Sequence, residues 1–325
     1  MSECLAPRRL GTTEITISPV ALGCWPIAGM TSLDVNDRDS LATLDACLDS
    51  GINFLDTAYC YGAQGESERL ISQSLASRRD QVVIATKGGI HWNEAGERVV
   101  DGRPATLHRQ CDESLQRLNT DHVELLYLHA PDPQVPLTES AGALRELLEA
   151  GKTRSVGVSN FSVEQLEEFQ AVCPISALQP PYNMLQRQIE EDILPWCRRH
   201  NISVIVYWPL MKGLLAGRLP RTHQFQEGDG RLKYPMFQGE EWEKNQDFLD
   251  RLREIAKGIG KTVAQTVINW TIHQPGITAA LCGAKRPYQI IETSGAMGWE
   301  LTAEQHSLID EALRERGLPV TRGAV

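Results

Sequence analysis

The chain reads as an α/β protein of the (β/α)8 TIM-barrel class, with a small N-terminal hairpin capping one mouth and a long loop after the seventh strand. Three observations predict this. Eight short, mainly apolar runs recur along the sequence. Amphipathic helical stretches separate them. Most of the runs are continuous rather than alternating, as strands buried on both faces of a parallel sheet are. Strand–helix alternation implies parallel pairing through crossover helices, and eight such units imply closure.

Residues 10–18 come first, and Gly11 with alternating Ile15 and Ile17 reads as the hairpin. The first barrel strand is 20–22. A helix over 39–50 carries Leu41, Leu44, Ala46, Cys47 and Leu48 on one side and stops at Gly51, a C-terminal cap signal. Strands follow at 52–55 and 82–85. The next helix, 106–118, opens on Thr106 as its N-cap and leads into a strand at 123–128. A helix over 138–150 ends at Gly151 and precedes a strand at 155–158. Ser162 caps a helix over 163–172, and strands at 177–179 and 204–207 follow. Residues 213–245 are rich in Gly, Pro and charge, as in Gly228-Asp229-Gly230-Arg231. An irregular stretch of that length is more often a lid or binding loop than a plain connector. Thr262 precedes a helix over 263–272, and the eighth strand is 279–282.

Composition narrows the function. The 325 residues suit one barrel domain over 1–325, and 42% hydrophobic content is ordinary for a globular protein. A net charge of -10 argues against a nucleic-acid surface, which needs a basic stripe. No apolar run approaches bilayer length, so no membrane partner is expected. Residues 1–10 lack an apolar signal core and carry Arg8 and Arg9. The eight cysteines are scattered, without a Cys-x-x-Cys pair, so no metal is expected. They read as small buried apolar residues in a reducing compartment, which points to the cytoplasm.

Four polar residues fall at or just past the downstream ends of three strands: Asp56, Tyr61, Lys87 and His129. Each has a plainer reading alone. Asp56 would cap a turn with Thr57, Tyr61 would be a half-buried packing residue, Lys87 a solvated lysine and His129 a satisfied core histidine. Together they lie on the rim where barrel active sites sit. The chemistry is coherent. A free tyrosine has a pKa of about 10. An ammonium about 4 Å away is worth roughly 4 kcal/mol at an effective dielectric near 20, enough to pull the phenol down toward neutral pH. Lys87 would thus make Tyr61 a general acid, Asp56 would hold Lys87 charged, and His129 would orient a carbonyl oxygen. None of these residues supplies electrons, so a hydride donor must be a cofactor.

Later strand ends suit that cofactor. Ser159 and Asn160 close the fifth run, Gln179 the sixth, and Tyr207 the seventh. Their amides and hydroxyl could hold a carboxamide, and Tyr207 offers a flat face for a ring. The eighth strand runs into Gly283-Ala284-Lys285-Arg286, small residues followed by two cations that fit a phosphate; the plainer reading of Lys285-Arg286 is a solvated pair. There is no Gly-x-Gly-x-x-Gly after a strand to indicate a Rossmann site.

At this point the sequence resembles the aldo-keto reductases, from Leu10-Gly11 to about Leu301, and in particular the bacterial members with a long loop. The stretch Gly51-Ile52-Asn53-Phe54-Leu55-Asp56-Thr57-Ala58 followed by Tyr61-Gly62 is similar to the family's signature. Gly157-Val158-Ser159-Asn160-Phe161 is similar to its nicotinamide-binding turn, with Gln179 and Tyr182-Asn183 following. Phe225…Asp229-Gly230-Arg231…Phe237 is similar to the long loop. The resemblance implies Tyr61 as proton donor, assisted by Lys87, Asp56 and His129. It implies Ser159, Asn160, Gln179 and Tyr207 around the nicotinamide, and Pro209, Leu210, Gly213 and Leu214 on the strand-7 side of the cofactor. Gly283, Ala284, Lys285, Arg286, Gln289 and Glu292 would hold the adenosine end. The loop 213–245 would fold over the pyrophosphate, and Trp25 and Trp92 would line the substrate pocket. The implied cofactor is NADPH/NADP+, with NADH as the alternative, and the implied substrate is a small carbonyl or alcohol. Many members have Ser where Trp208 stands, and some have Arg where Gln289 stands.

Two rival readings remain at this level. One is a nicotinamide-binding partner module with little turnover, as in the beta subunits of potassium channels. The other is a Schiff-base barrel lyase using Lys87.

Overall fold

A computed structural model describes residues 6–29, 33–75 and 78–320. The chain opens with β1 (Arg8–Arg9) and β2 (Thr16–Ile17), then β3 (Val20–Gly23), α1 (Asp37–Asp49), β4 (Phe54–Asp56) and α2 (Glu66–Leu75). Next come β5 (Val83–Gly88), β6 (Ile90–Trp92), β7 (Arg98–Val100), α3 (Pro104–Leu118), β8 (Leu125–Leu128) and α4 (Leu137–Glu149). The second half runs β9 (Val156–Ser159), α5 (Val163–Gln170), β10 (Ala177–Gln179), α6 (Ile193–Arg199) and β11 (Ser203–Val206). It ends with α7 (Gly239–Ile259), α8 (Val263–Ile272), β12 (Ile277–Gly283), α9 (Pro287–Ser294) and α10 (Ala303–Arg316).

Eight strands close a barrel in chain order, β3-β4-β5-β8-β9-β10-β11-β12, and every pair is parallel. The expected barrel is therefore the observed one. The N-terminal hairpin is also present, with Arg8 opposite Ile17, so it starts earlier than Leu10. Leu10 and Ile17 are buried with the barrel's interior side chains, which plugs the N-terminal mouth.

The interior obeys a strict alternation. Ala21, Phe54, Val83, Ala85, Leu125, Tyr127, Ala177, Ile205, Ala279 and Leu281 share one inner cluster. Their neighbours Val20, Leu22, Leu55, Ile84, Leu126, Leu178, Val204 and Val206 belong to the outer cluster, under the helices. Successive strand residues face opposite sides. Moving two residues downstream from the inner cluster therefore reaches the next inward layer: Asp56, Lys87, His129, Gln179 and Tyr207. Ser159 follows Gly157 in the same phase. The remaining two positions are Gly23 and Gly283, paired with each other, which put no side chain into that layer. Gly157 itself is a close approach: a Cβ there would lie 2.5 Å from the Tyr127 ring.

Several expectations change. Lys87 lies within β5 rather than beyond it, because the strand runs on to Gly88. Helix α3 starts at Pro104 with Arg103 in the N-cap position. Proline's fixed φ suits the first helical turn, and the Thr106 hydroxyl instead donates to Asp101 at 2.8 Å. The helix-stop signal at Gly51 is borne out: it follows the Ser50 cap of α1 in the left-handed region, at φ 77°. The irregular stretch after β11 ends at Gln238, not Asn245, because α7 begins at Gly239. Glu240 and Lys244 read as loop-like charge but form its solvent face, Glu241 turns inward to pair with buried Arg316, and Trp242, Asn245, Phe248 and Leu249 are buried. The β6–β7 hairpin was not anticipated, although Asn93-Glu94-Ala95-Gly96 between two short β-rich runs is a turn signal.

Candidate active site

The C-terminal mouth brings the four expected residues together, Asp56, Lys87 and His129 from the inward layer and Tyr61 from the loop after β4. Lys87 Nζ donates to Asp56 Oδ1 at 2.5 Å, to the Thr57 carbonyl at 2.8 Å and to Tyr61 Oη at 3.3 Å. Asp56 and Lys87 are each 1% exposed, so water screens neither charge. Tyr61 and His129 are only half-buried, and the ion pair meets the mouth through them. Their rings lie edge to face with centroids 6.0 Å apart.

Tyr61 arrives by a short loop from β4 that is braced from below. Thr57 and Ser67 hydroxyls pair at 2.8 Å. Buried Glu68 accepts from Thr86 at 2.7 Å and from Arg117 at 3.2 Å. Arg117 also donates to the Tyr59 carbonyl at 3.2 Å and lies over the Tyr59 ring.

Burial dominates the electrostatics. It pushes the Tyr61 phenol well above its ordinary value, and Asp56 adds to the rise. The sequence-level expectation that Lys87 would pull the phenol down is therefore reversed, since loss of hydration outweighs the ammonium. Tyr61 is a protonated phenol at neutral pH. Burial also raises Asp56, against the opposing Lys87 ammonium and the Gln179 amide. His129 is held well below its ordinary value by burial, then by the positive charges of Lys87 and Arg98. A neutral imidazole follows. Its Nδ1 lies 3.7 Å from Cys60 Sγ, and burial pushes that thiol up to about 11, so it keeps its proton. In the tautomer in which the thiol donates to Nδ1, the imidazole proton is on Nε2.

The residues expected around a nicotinamide sit beside this group, and protein partners engage them. Gln179 Nε2 donates to Asp56 Oδ2 at 2.7 Å. Ser159 Oγ donates to the Gln179 carbonyl at 2.8 Å. Asn160, at φ 64°, donates to the His129 carbonyl at 3.3 Å and accepts from the Tyr207 hydroxyl at 2.8 Å. Trp25 lies edge to face with Tyr61 at 5.0 Å, and Trp92 Nε1 donates to the Cys60 carbonyl at 2.8 Å.

Past β11 the backbone is strained. Trp208, Met211 and Lys212 all have positive φ, followed by Gly213 at 88°. Such outliers persist only where the surroundings over-determine them. Here Lys212 Nζ sits 4.6 Å from the centroids of both Trp208 and Tyr234, two rings that themselves meet edge to face. Trp208 is thus a platform for the following loop, a role the sequence alone did not reveal. Pro209, Leu210 and Leu214 lie in this segment, with Leu214 buried.

At the far end, Lys285 Nζ donates to the Leu33 carbonyl at 2.7 Å. Arg286 donates to the Asp34 carbonyl at 2.6 Å and pairs with Asp39 at 3.2 Å. Gln289 Oε1 accepts from the backbone N–H groups of Lys285 and Arg286 at 2.8 and 3.1 Å. Those N–H groups therefore meet a side chain here, where a phosphate was expected. Glu292 pairs with Arg218 from the long loop at 2.7 Å. Ala284 is buried.

Among the described residues, no group of three or more His, Cys, Asp or Glu side chains is placed to hold a metal ion, and no helix is long and apolar enough to cross a membrane. The seven described cysteines are free and buried; Cys4 lies outside the described residues.

Comparison with known proteins agrees with this geometry. A family model described as "Aldo/keto reductase family" matches residues 19–314. The aldo-keto reductase YhdN of Bacillus subtilis is 36% identical over 94% of this chain and 92% of its own length. The NADH-specific methylglyoxal reductase of Escherichia coli is 32% identical, covering 93% and 96% respectively. Among solved structures, the glycerol dehydrogenase AKR11B4 from Gluconobacter oxydans superposes with a TM-score of 0.91 at 35% identity, covering 99% of both chains.

Proposed function

The chain belongs to the aldo/keto reductase family, an oxidoreductase family acting on carbonyls and alcohols, and from that premise we propose that it is a cytoplasmic NADP(H)-dependent reductase of small aldehydes or ketones. Tyr61 delivers the proton. The observation that carries this reading is the contact of Lys87 Nζ with both Tyr61 Oη at 3.3 Å and Asp56 at 2.5 Å in a water-poor layer.

The donor set fits a nicotinamide. Ser159, Asn160 and Gln179 offer hydroxyl and amide groups for a carboxamide, Tyr207 offers a ring face, and Gly23 with Gly283 leaves the inward layer open on one side. When bound, the cofactor supplies or takes up the hydride. The protein's residues handle the oxygen. Tyr61, neutral at physiological pH, releases its proton as that oxygen becomes an alkoxide. Lys87 stabilises the resulting phenolate, and Asp56 keeps the ammonium in place. His129 donates from Nε2 to the carbonyl oxygen and orients it. Trp25 and Trp92 flank Tyr61 and exclude water. Residues 208–238, held by the Trp208–Lys212–Tyr234 cluster and by Arg218–Glu292, are the segment that would cover the pyrophosphate, with Pro209, Leu210, Gly213 and Leu214 at its root.

NADP(H) is favoured because Lys285 and Arg286 put two cations at the end of β12. The Escherichia coli relative, NADH-specific by its name, makes NADH the competing outcome. The Schiff-base reading is disfavoured, since three acceptors occupy the three N–H groups of the Lys87 ammonium and leave no amine lone pair for attack. The partner-module reading gives no account of the intact proton-transfer group.

Titration with NADPH and NADH, followed by tryptophan fluorescence, tests the proposal together with a carbonyl screen. Tight NADPH binding with turnover supports it. Cofactor binding with silence toward every carbonyl would favour the partner module, and binding of neither cofactor would remove the hydride-transfer reading.

A further inference from the structure

The β6–β7 hairpin sets an arginine over the candidate active site. In its register Ile90 stands opposite Val100 and Trp92 opposite Arg98. Directly opposed residues share a face, as do alternate residues along a strand. Ile90, Trp92, Arg98 and Val100 therefore lie on one side of the hairpin, with His91 and Val99 on the other. That side is settled by packing. Ile90, Trp92 and Val100 pack with Ala58, Cys60, Tyr61 and Ala130, and Trp92 is tied to the Cys60 carbonyl at 2.8 Å. The face carrying Arg98 thus looks onto the Tyr61 loop and the end of β8 where His129 sits.

Arg98 is half-buried. Among the described residues it has no ion pair and no hydrogen bond, whereas Arg103 beyond the hairpin pairs with Asp101 and Arg117 below the Tyr61 loop pairs with Glu68. Its charge is nevertheless felt at His129, Cys60 and Tyr207, which belong to three separate segments of the mouth. Within that group Asp56 and Lys87 cancel, while Tyr61 and His129 are neutral. Arg98 is left as the uncompensated charge facing the reacting position. A partly desolvated guanidinium without a partner is costly and presents five N–H donors in a fork suited to carboxylate or phosphate oxygens.

We propose that Arg98 is a specificity-determining residue that selects carbonyl substrates carrying an anionic group, a carboxylate or a phosphate, beside the reacting carbonyl. The inference rests on the carbonyl-reductase reading and adds the substrate class to it. The guanidinium donates to the anionic oxygens while the carbonyl oxygen faces Tyr61 and His129.

The test uses matched pairs: 4-oxobutanoate against butanal, and glyceraldehyde 3-phosphate against glyceraldehyde. Each is assayed with the unaltered protein, Arg98→Gln and Arg98→Lys, and cofactor affinity is measured in parallel. The expected result is a kcat/KM preference of about tenfold or more for the anionic member of one pair, and that pair identifies carboxylate or phosphate. Loss of a charge-assisted contact in Arg98→Gln should lower kcat/KM on that member by about 10–100-fold, mainly through KM, and bring the ratio close to one. Arg98→Lys should recover part of the preference. No anionic preference in either pair, or a preference that survives Arg98→Gln, overturns the inference. So does weakened cofactor binding with an unchanged ratio, which would assign Arg98 to the cofactor. Turnover of the neutral members alone defeats this inference and leaves the carbonyl reading standing, whereas silence toward all four compounds defeats both.

Discussion

Gln179 and Asp56 share a hydrogen bond across the mouth of the barrel, Nε2 to Oδ2 at 2.7 Å. The other oxygen of Asp56 holds Lys87, and Lys87 reaches Tyr61. One buried carboxylate therefore links an amide suited to gripping a nicotinamide to the phenol suited to giving a proton. Displacement of Gln179 on cofactor binding would be transmitted to Tyr61 through two residues, Asp56 and Lys87.

Gln179→Ala should expose what that bond contributes. It leaves Oδ2 of a fully buried carboxylate without its amide donor, which costs about 1–3 kcal/mol. Urea unfolding should record the loss in the cofactor-free protein, where no ligand contact contributes. Stability equal to that of the unaltered protein would mean that the bond carries no net free energy.

Tyr61→Phe removes only the hydroxyl. Loss of a positioned general acid typically costs about 10²–10⁴ in rate, and turnover should fall by that factor. Lys87 keeps Asp56 and the Thr57 carbonyl, so cofactor-induced quenching of tryptophan fluorescence should be nearly unchanged. Turnover within tenfold of the original would end the assignment of Tyr61 as proton donor.

The barrel and the grouping of Asp56, Tyr61, Lys87 and His129 were legible because burial on both faces makes parallel strands read as apolar runs, and an acid, phenol, ammonium or imidazole at or just past the end of such a run stands out. Stepping two residues on from Phe54, Ala85, Tyr127, Ala177 and Ile205 reaches Asp56, Lys87, His129, Gln179 and Tyr207 in one phase. Arg98 and Trp208 were not legible. Arg98 depends on which face of a short two-stranded hairpin packs inward, and a β7 of only Arg98–Val100 has too little periodicity to declare it. Trp208 depends on a left-handed backbone, φ 60°, that glycine or asparagine advertises and a tryptophan does not. The direction of the Tyr61 shift was not legible for a related reason: a lysine expected nearby says nothing about how much water the fold removes.

Acid stability should report His129. The folded imidazole is held well below its ordinary value, chiefly by burial. Below about pH 6.5 the unfolded chain binds a proton at this position that the folded chain refuses. The unfolded state then carries more protons, so stability falls as pH falls, by up to about 1.4 kcal/mol per pH unit from this group. His129→Asn removes the contribution. Urea midpoints at pH 7.5 and 5.5 should therefore separate less in the variant than in the unaltered protein. Equal separation would mean that the imidazole titrates normally.

Cofactor choice turns on what Lys285 and Arg286 already hold. Both donate to neutral carbonyls, of Leu33 and Asp34, and Arg286 also pairs with Asp39. A 2′-phosphate carries more charge than any of these acceptors and forms charge-assisted bonds about twice as strong as those to carbonyls, so it should displace the carbonyls while competing with Asp39. Replacing both cations with alanine should raise the NADPH dissociation constant by about 10–100-fold and change that of NADH by no more than about threefold. Asp39→Asn should act oppositely, releasing Arg286 and tightening NADPH. If the double variant weakens both cofactors equally, the two cations hold the loop around Asp34 and do not read the phosphate. The chain would then select its cofactor elsewhere along the adenosine end, with Gln289 and Glu292 as the next positions to vary.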